Sequence, residues 1–363
     1  MNEADARFMR LALSLAARGL GNVWPNPAVG CVIVSQGRIV GRGWTQPGGR
    51  PHAERRALDQ AGAAARGATA YVTLEPCAHH GKTPPCAEGL VAAGVARVVS
   101  AMTDPDPRVA GRGHAMLRAA GVLVDEGLLE DEARDLQAGF LSRIERGRPW
   151  VALKLASSFD GRIALASGES QWITGHEARS RVHALRAQFD AVLVGGGTAR
   201  ADDPLLTVRG FRPSRQPVRV VASARLDLPR GRLAGSLDQA PLWLVHGAEA
   251  PREARRIWQD LGAELIELPC GVEGLEAPPL MQALGARGLT RVFCEGGGQF
   301  AASLMRAGMV DELIGFTAGV GLGADARPAL GGLALERLAD APRFDLVEVT
   351  RIGGDVLHRW RQR

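Results

Sequence analysis

A histidine and a glutamate stand one residue apart in the segment His52-Ala53-Glu54, and two Pro-Cys pairs follow, ending at Cys77 and Cys86. One imidazole and two thiolates suit zinc, and three protein ligands leave the fourth tetrahedral position open for water. Glu54 is only two residues from His52, which is unfavourable for a fourth ligand to the same ion, so we expect it to transfer protons. The pattern predicts a catalytic zinc site with ligands His52, Cys77 and Cys86 and with Glu54 as proton shuttle.

The segment between the two cysteines leaves a structural zinc site open as an alternative, and it restricts the class of substrate that we expect. A structural zinc site would need a fourth protein ligand, which His79 or His80 could provide. Zinc nucleobase deaminases combine a His-x-Glu with two cysteines, but those that act on nucleic acids usually have only two residues between the cysteines, and here there are eight. The longer loop contains donors suited to a phosphate or to additional exocyclic groups, namely His79, His80, Lys82 and Thr83.

Length and composition describe an ordinary globular chain. Its 363 residues, 46% hydrophobic and 23% charged, favour two domains. No apolar run approaches the roughly 18 residues of a membrane span, and the acidic N-terminus lacks the features of a signal peptide. Five scattered cysteines disfavour a disulfide framework. We therefore expect a cytoplasmic protein with no membrane partner.

The net charge of +5 raises the question of nucleic acid binding. The basic residues are not interleaved with aromatic residues, and a phosphorylated small molecule explains the charge at least as well. Nearly all the basic residues are arginine, and lysine occurs only at positions 82 and 154. We expect no nucleic acid partner, and Lys154 becomes a candidate for a site that requires a compact point charge.

Hydrophobic periodicity predicts helices alternating with strands, the pattern of an α/β fold. The predicted helices cover residues 5–18, 51 onward, 87–93, 112–119, 130–146, 176–187, 252–260, 279–286 and 298–307. The predicted strands cover residues 28–34, 39–44, 69–74, 96–102, 122–125, 150–156, 191–194, 218–222, 242–246, 263–268, 291–294 and 311–317. A break at Gly147-Arg148-Pro149 places one domain at residues 1–146 and a second at 147–363.

Two triple glycines follow strands of the second domain, at Gly195-Gly196-Gly197 and at Gly296-Gly297-Gly298. Glycine lets backbone N–H groups approach a phosphate, and the N-terminus of a helix adds favourable partial charge. Neither segment is a GxGxxG, so the Rossmann fingerprint is absent. A pair of such turns after parallel strands favours a dinucleotide site over two unrelated tight turns.

Three segments of the first domain together resemble the pyrimidine deaminases of riboflavin biosynthesis, in which a reductase follows the deaminase. The segments are Pro25-Asn26-Pro27-Ala28-Val29-Gly30, His52-Ala53-Glu54 and the run from Glu75 to Cys86. The resemblance implies a cytidine-deaminase-like α/β/α sandwich, a Zn²⁺ ion, and substrate contacts at Asn26, His79, Lys82 and Thr83. The family commonly has histidine where this chain has Thr45.

The second domain resembles the reductase half of the same family through segments 154–162, 167–174 and 201–209. The resemblance implies a dihydrofolate-reductase-like fold and NADPH as cofactor. The implied cofactor contacts are Ala156, Trp172, Thr198, Asp202, Ser223, Gly297, Gly298, Gln299, Phe300, Ala301, Ala302 and Ser303. The implied substrate contacts are Ser170, Arg186, Leu205, Arg209 and Glu295. The family often has aspartate at Ala222 and proline at His176.

The resulting hypothesis is a bifunctional enzyme of riboflavin biosynthesis. The first domain would remove an amino group from a phosphoribosylated diaminopyrimidinone, and the second would reduce the ribosyl group of the product to ribityl with NADPH. Arg186 and Arg209 would act as phosphate forks, Lys154 would polarise the sugar, and the chain would form a homo-oligomer. The alternatives are a nucleic acid deaminase, a deaminase with a regulatory second domain, and a non-catalytic zinc-stabilised interaction protein.

Overall fold

The computed structural model describes residues 1–80, 84–107, 110–272 and 274–363. These residues divide into two compact units, Met1–Gly147 and Arg148–Arg363. None of the helices in these ranges is both long enough and apolar enough to cross a membrane.

The first unit contains a five-stranded sheet with strand order β2-β1-β3-β4-β5. Its strands are β1 (Gly30–Ser35), β2 (Arg38–Trp44), β3 (Thr69–Val72), β4 (Arg97–Ser100) and β5 (Leu123–Glu126). Its helices are α1 (Glu3–Ala16), α2 (Ala53–Ala61), α3 (Cys86–Ala92), α4 (Arg112–Ala119) and α5 (Glu130–Arg146). Strand β1 pairs antiparallel with both β2 and β3, whereas β3, β4 and β5 run parallel.

Helices cover both faces of this sheet, and glycines permit their close approach. A Cβ on Gly30 would lie 1.9 Å from the carbonyl oxygen of Ala12 in α1, and one on Gly43 would lie 2.1 Å from that of Ala53 in α2. Gly30 pairs with Trp44, the neighbour of Gly43, so the two glycines face opposite sides of the sheet. The first unit is therefore an α/β/α sandwich.

The second unit contains a nine-stranded sheet with strand order β11-β10-β9-β8-β14-β6-β15-β18-β17. The strands of this unit are β6 (Trp150–Ser158), β7 (Arg162–Ala164), β8 (Ala191–Gly195), β9 (Val218–Ala222), β10 (Leu242–Gly247), β11 (Glu264–Leu268), β12 (Cys270–Gly271), β13 (Gly274–Leu275), β14 (Arg291–Gly296), β15 (Glu312–Ala318), β16 (Arg327–Pro328), β17 (Phe344–Ile352) and β18 (Asp355–Gln362). Its helices are α6 (His176–Arg186), α7 (Gly196–Asp202), α8 (Arg252–Asp260), α9 (Ala277–Ala286) and α10 (Gly298–Arg306). The seven strands from β11 to β15 are parallel, and β18 and β17 extend the sheet antiparallel.

The predicted alternation of strands and helices is confirmed, but one helix, α7, and six strands were missed, namely β7, β12, β13, β16, β17 and β18. Helix α7 begins at Gly196, inside a segment predicted as a glycine-rich turn. Glycine is a poor helix former, so this helix depends on its tertiary contacts. The hairpin of β17 and β18 was not predicted because charged and apolar residues both lie on its exposed surface.

Candidate active sites

The three predicted zinc ligands lie at element boundaries of the first unit. His52 is the residue immediately before α2, Cys86 is the first residue of α3, and Cys77 follows the end of β3. The His52 Nδ1 atom lies 3.3 Å from Cys86 Sγ and 3.7 Å from Cys77 Sγ. All three donor atoms lie within 4.8 Å of one another. The tertiary structure therefore brings together residues that are up to 34 positions apart.

This donor set fits zinc. Zinc–sulfur bonds of about 2.3 Å and zinc–nitrogen bonds of about 2.0 Å place N and S about 3.5 Å apart in a tetrahedral site. The two N···S distances, 3.3 and 3.7 Å, bracket that separation. Hydrogen bonds from Cys86, whose backbone N–H is 3.3 Å from Cys77 Sγ, hold the pKa of the Cys77 thiol well below its usual range. A thiolate is the form that binds metal.

Glu54 lies in the first turn of α2 and is 4% exposed. Burial, followed by the charge of Cys77, raises the pKa of its carboxyl to about 7. The group of residues able to share a metal in the described part of the chain does not include Glu54. A buried carboxyl with a pKa near neutrality can accept and return a proton, which is the property required of an acid–base catalyst.

The structure reveals a buried carboxylate beside the metal ligands to which sequence reasoning assigned no role. Glu75 accepts hydrogen bonds from the backbone N–H groups of Asp104, Gly111, Gly113 and His114. A Cβ on Gly113 would lie 1.9 Å from the carbonyl oxygen of Pro76, so the start of α4 lies directly against the segment that carries Cys77. The position of Glu75 immediately before Pro76-Cys77 was the one hint of this role in the sequence. The role could not be predicted because the hydrogen-bond partners of Glu75 are distant in sequence.

The remaining predicted residues of the first unit have different surroundings. The Asn26 side chain donates to the carbonyl of Val23 at 3.4 Å, and Gly49 leaves room for it, since a Cβ there would lie 1.9 Å from Asn26 Nδ2. His79 is exposed, whereas Lys82 and Thr83 lie outside the described residues. Thr45 is buried, and its Oγ1 accepts from the Val29 N–H at 3.0 Å. Thr45 therefore has a structural role between two backbone segments.

The predicted cofactor residues of the second unit converge at the carboxyl ends of neighbouring parallel strands. Thr198 follows β8, Ser223 follows β9 and Gly297 follows β14, and β8 pairs with both other strands. Thr198 Oγ1 donates to the carbonyl of Gly296 at 3.0 Å, and Ser223 Oγ donates to Asp227 at 2.9 Å. Open α/β sheets bind their ligands at this edge.

Glycine is required where these turns meet. A Cβ on Gly297, whose φ is +90°, would lie 2.7 Å from Thr198 Oγ1, and one on Gly196 would lie 2.9 Å from Ser223 Oγ. The absence of both side chains leaves a cradle of backbone next to the N-terminus of α10, which suits the phosphates of a dinucleotide.

The predicted residues of α10 differ in their accessibility. Gly298, Gln299 and Phe300 form the first turn of the helix, and Ser303 lies one turn further along. Ala301 and Ala302 are fully buried in the core. A ligand could therefore reach the first turn of this helix but not the side chains of Ala301 and Ala302.

Two of the predicted substrate residues, Arg186 and Glu295, form a largely buried ion pair. Arg186 on α6 binds Glu295 on β14 through two bonds, Nε to Oε1 at 2.5 Å and Nη2 to Oε2 at 2.9 Å. Its Nη1 donates to the carbonyl of Thr207 at 2.7 Å. The fork of Arg186 is thus occupied by Glu295 and does not correspond to the free phosphate fork predicted. Arg209 is exposed and, within the described ranges, has no ion-pair partner.

Lys154 on β6 lies in the electric field of this ion pair. Burial lowers the pKa of its ammonium group, while the charges of Glu295 and Asp202 oppose that change. The structure therefore brings a predicted catalytic lysine near a predicted substrate residue and a predicted cofactor residue. Ala156 and Ser170 are partly buried, as is Leu205, and Trp172 is 67% exposed with the Arg179 guanidinium 4.6 Å from the centre of its ring.

His183 is a second residue that sequence reasoning missed. Its Nδ1 accepts the backbone N–H of Arg209 at 3.2 Å, one turn of α6 before Arg186. Burial and the charges of Arg186 and Arg209 lower the pKa of His183 to about 4. Helix α6 therefore holds the segment 207–209 at two points, through a neutral imidazole and through Arg186. The helical spacing of His183 and Arg186 was visible in the sequence, but their common partner segment was not.

Comparisons with known proteins match both units. Residues 2–102 match the cytidine and deoxycytidylate deaminase zinc-binding region, and residues 149–358 match the RibD C-terminal domain. Riboflavin biosynthesis protein RibD of Escherichia coli strain K12 is 46% identical over 365 residues, which cover 97% of this chain and 98% of that protein. RibD of Haemophilus influenzae is 45% identical over 371 residues, covering 97% and 96%.

Solved structures agree with the sequence relatives. Acinetobacter baumannii RibD (form 1) superposes with a TM-score of 0.89 at 41% identity, covering 99% of both chains. A diaminohydroxyphosphoribosylaminopyrimidine deaminase/5-amino-6-(5-phosphoribosylamino)uracil reductase from Thermotoga maritima superposes with a TM-score of 0.87 at 35% identity, again covering 99% of both. The predicted combination of a cytidine-deaminase-like fold and a reductase fold is confirmed. The chain belongs to the RibD family, the bifunctional deaminase and reductase enzymes of riboflavin biosynthesis.

Proposed function

We propose that the first unit, residues 1–146, hydrolytically deaminates 2,5-diamino-6-(5-phosphoribosylamino)pyrimidin-4-one. The observation that carries this proposal is the cluster of His52, Cys77 and Cys86 with the buried carboxyl of Glu54 beside it. Zinc held by the three ligands would supply the Lewis acidity that makes water a nucleophile at neutral pH. A three-ligand site with a non-ligating carboxylate is a catalytic arrangement and not a structural one.

Glu54 has two tasks in this reaction. It takes one proton from the attacking water and delivers it to the ring nitrogen, and it then passes the proton of the newly attached hydroxyl to the departing amine, which leaves as ammonia. Its pKa of about 7 suits both directions of transfer. Asn26 orients the pyrimidine, and His79, Lys82 and Thr83 contact the rest of the substrate. Glu75 is a positioning residue because it ties the start of α4 to the segment that carries Cys77.

We propose that the second unit, residues 147–363, reduces the ribosyl group of 5-amino-6-(5-phosphoribosylamino)uracil to ribityl. NADPH bound at the carboxyl ends of β8, β9 and β14 would supply the hydride for the ribose C1′ in its opened form. The glycine cradle at Gly196 and Gly297 supports this location. Its neighbours Thr198, Asp202 and Ser223 and the first turn of α10 would hold the cofactor.

Three positively charged residues would bind and orient the sugar phosphate. Lys154 polarises the sugar oxygen near the hydride acceptor, and its burial is consistent with a lysine that acts on a reacting group. Arg209 binds the phosphate. Arg186 adds positive charge to the site and fixes the side chain of Glu295 through two hydrogen bonds. Ser170 and Leu205 complete the substrate contacts.

A coupled assay with the phosphoribosyl diaminopyrimidinone tests both halves. We expect ammonia release without NADPH, and NADPH oxidation only once the deaminated intermediate has formed. A parallel reaction with NADH tests the preference for NADPH. Failure to release ammonia from zinc-loaded protein would contradict the proposal for the first unit, and failure to oxidise NADPH with supplied intermediate would contradict that for the second.

We also propose that the enzyme acts in the cytoplasm as a homo-oligomer and without nucleic acid. All five cysteines are free, which suits a reducing compartment. The edge strand β17 exposes apolar residues, among them Leu346 at 53% and Val349 at 60%, and such a surface favours a protein partner over water. Light scattering on the purified protein measures the oligomeric state, and a monomer at micromolar concentration would contradict this part.

A further inference from the structure

A cavity of about 530 Å³ lies in the first unit at the open edge of its sheet. Strand β2 is the outermost strand, and α1 and α2 lie on opposite faces beside it. The walls include Arg18 just beyond α1, Arg42 and Trp44 on β2, and Arg56 on α2. None of the zinc ligands lines this cavity, so it is separate from the deaminase site.

Most of the charged residues that line the cavity are basic. Within the described ranges, none of the guanidinium groups of Arg18, Arg42 and Arg56 has an ion-pair partner. The single carboxylate in the lining, Asp59, binds Arg55, with 2.9 Å between Oδ1 and Nε. Three arginines and one aspartate line the same cavity, so its lining carries a net positive charge, which favours an anion.

The arginines are held by a rigid framework. A Cβ on Gly41 would lie 2.2 Å from the carbonyl oxygen of Ala57, so strand β2 and helix α2 are in close backbone contact. The backbone N–H of Arg42 donates to Gln60 Oε1 at 2.8 Å, which fixes the edge strand to the same helix. The Arg18 guanidinium lies 5.0 Å from the centre of the Trp44 ring. The backbone that carries these arginines is therefore fixed, whereas their exposed side chains would be ordered by the ligand.

We propose that this cavity binds a multiply charged phosphate ligand, a di- or triphosphate, which Arg18, Arg42 and Arg56 contact together. Guanidinium forks match phosphate oxygens in geometry and charge. The volume lies within the range of about 300–1,000 Å³ that is usual for small-molecule sites. The proposal is independent of the assignment of substrates to either catalytic site.

Calorimetric titration of the full-length protein with inorganic triphosphate at low salt tests the proposal. We expect each of the variants Arg42→Gln and Arg56→Gln to weaken binding at one site about tenfold, the loss of one charge-assisted hydrogen bond. Arg38→Gln is the matched control, because Arg38 lies exposed on the same strand but outside the cavity. Because the reductase unit also offers phosphate contacts, the number of sites is fitted as well as the affinity.

The outcomes decide the proposal in either direction. Loss of one site in the Arg42→Gln/Arg56→Gln double variant, with Arg38→Gln unchanged, supports it. Equal affinity for inorganic triphosphate and for adenosine triphosphate would show that the protein recognises the phosphates alone. Tighter binding of the nucleotide would indicate an additional contact between the base and Trp44. No binding by the wild-type protein, or the same number of sites and affinities in the double variant, would overturn it.

Discussion

The two catalytic regions are built on different physical principles. In the first unit, one nitrogen and two sulfur donor atoms within 4.8 Å of one another form the centre, and the buried carboxyl of Glu54, which we propose as the proton shuttle, lies beside them. The described part of the second unit contains no such cluster. The centre that we propose for it is the largely buried pair of Arg186 and Glu295 with Lys154 nearby. The deaminase site therefore concentrates chemistry in few atoms, whereas the reductase site distributes it over a network of charges.

The largest effect that separates the two regions is expected for Glu54→Gln. The variant keeps the shape of the side chain but cannot transfer protons, so deamination should fall about 10²- to 10⁴-fold. Zinc content and reduction of the supplied intermediate should not change. Ammonia release, metal analysis and NADPH oxidation measure the three quantities, and loss of zinc would show that Glu54 is a ligand.

Removal of the carboxylate of Glu295 should destabilise the folded protein. Glu295→Ala leaves Arg186 buried without its partner carboxylate, which should lower the free energy of unfolding by about 3–5 kcal/mol. The double variant Arg186→Met/Glu295→Leu is the control, because an apolar pair of similar volume is often no less stable than a buried ion pair. Denaturant unfolding measures both. If Glu295→Ala is as stable as the wild type, the ion pair of Arg186 and Glu295 does not stabilise this unit.

Lys154→Ala tests whether the reductase site depends on one point charge. We expect reduction to fall about 10²-fold, the usual cost of losing an electrostatic contact to the reacting group, and deamination to be unchanged. The control Lys154→Arg keeps the charge but changes its geometry. Steady-state NADPH oxidation with the deaminated intermediate gives the rate, and kinetics equal to wild type in Lys154→Ala would remove this residue from the site.

The smallest effect concerns His183 and pH. Its pKa in the folded protein, about 4, lies below the ordinary value of 6.5, so the unfolded chain binds the proton first as the pH falls. This residue therefore lowers stability progressively between pH 6.5 and pH 4 and has no effect on the pH dependence above that range. We expect about 1 kcal/mol at pH 5, allowing for solvent screening. Unfolding of His183→Asn at pH 7 and pH 5 should lack this difference, and an identical pH dependence in both proteins would contradict the assignment.

The sequence predicted the members of the zinc cluster because their residue types and flanking residues form a recognisable pattern, although the fold brings His52 to Cys86 across 34 positions. His52 and Glu54 are two residues apart at a helix start, and each cysteine follows a proline, so residue type and spacing alone predict the chemistry. The glycine-rich turns after β8 and β14 were also evident, and their contact follows from the pairing of two parallel strands. Most helices and strands were predicted correctly because hydrophobic periodicity is also read from neighbouring residues.

Only the tertiary structure decided the partners of the buried charges. Arg186 binds Glu295 across 109 residues, and Glu75 accepts hydrogen bonds from N–H groups that are 29 to 39 residues away. Such contacts depend on strand order, which periodicity does not encode. For this reason the arginine predicted as a free phosphate fork proved to be paired, and His183 was overlooked. The sequence by itself determined which chemistry the chain carries, whereas the tertiary structure decided which charges are neutralised and which remain free to bind.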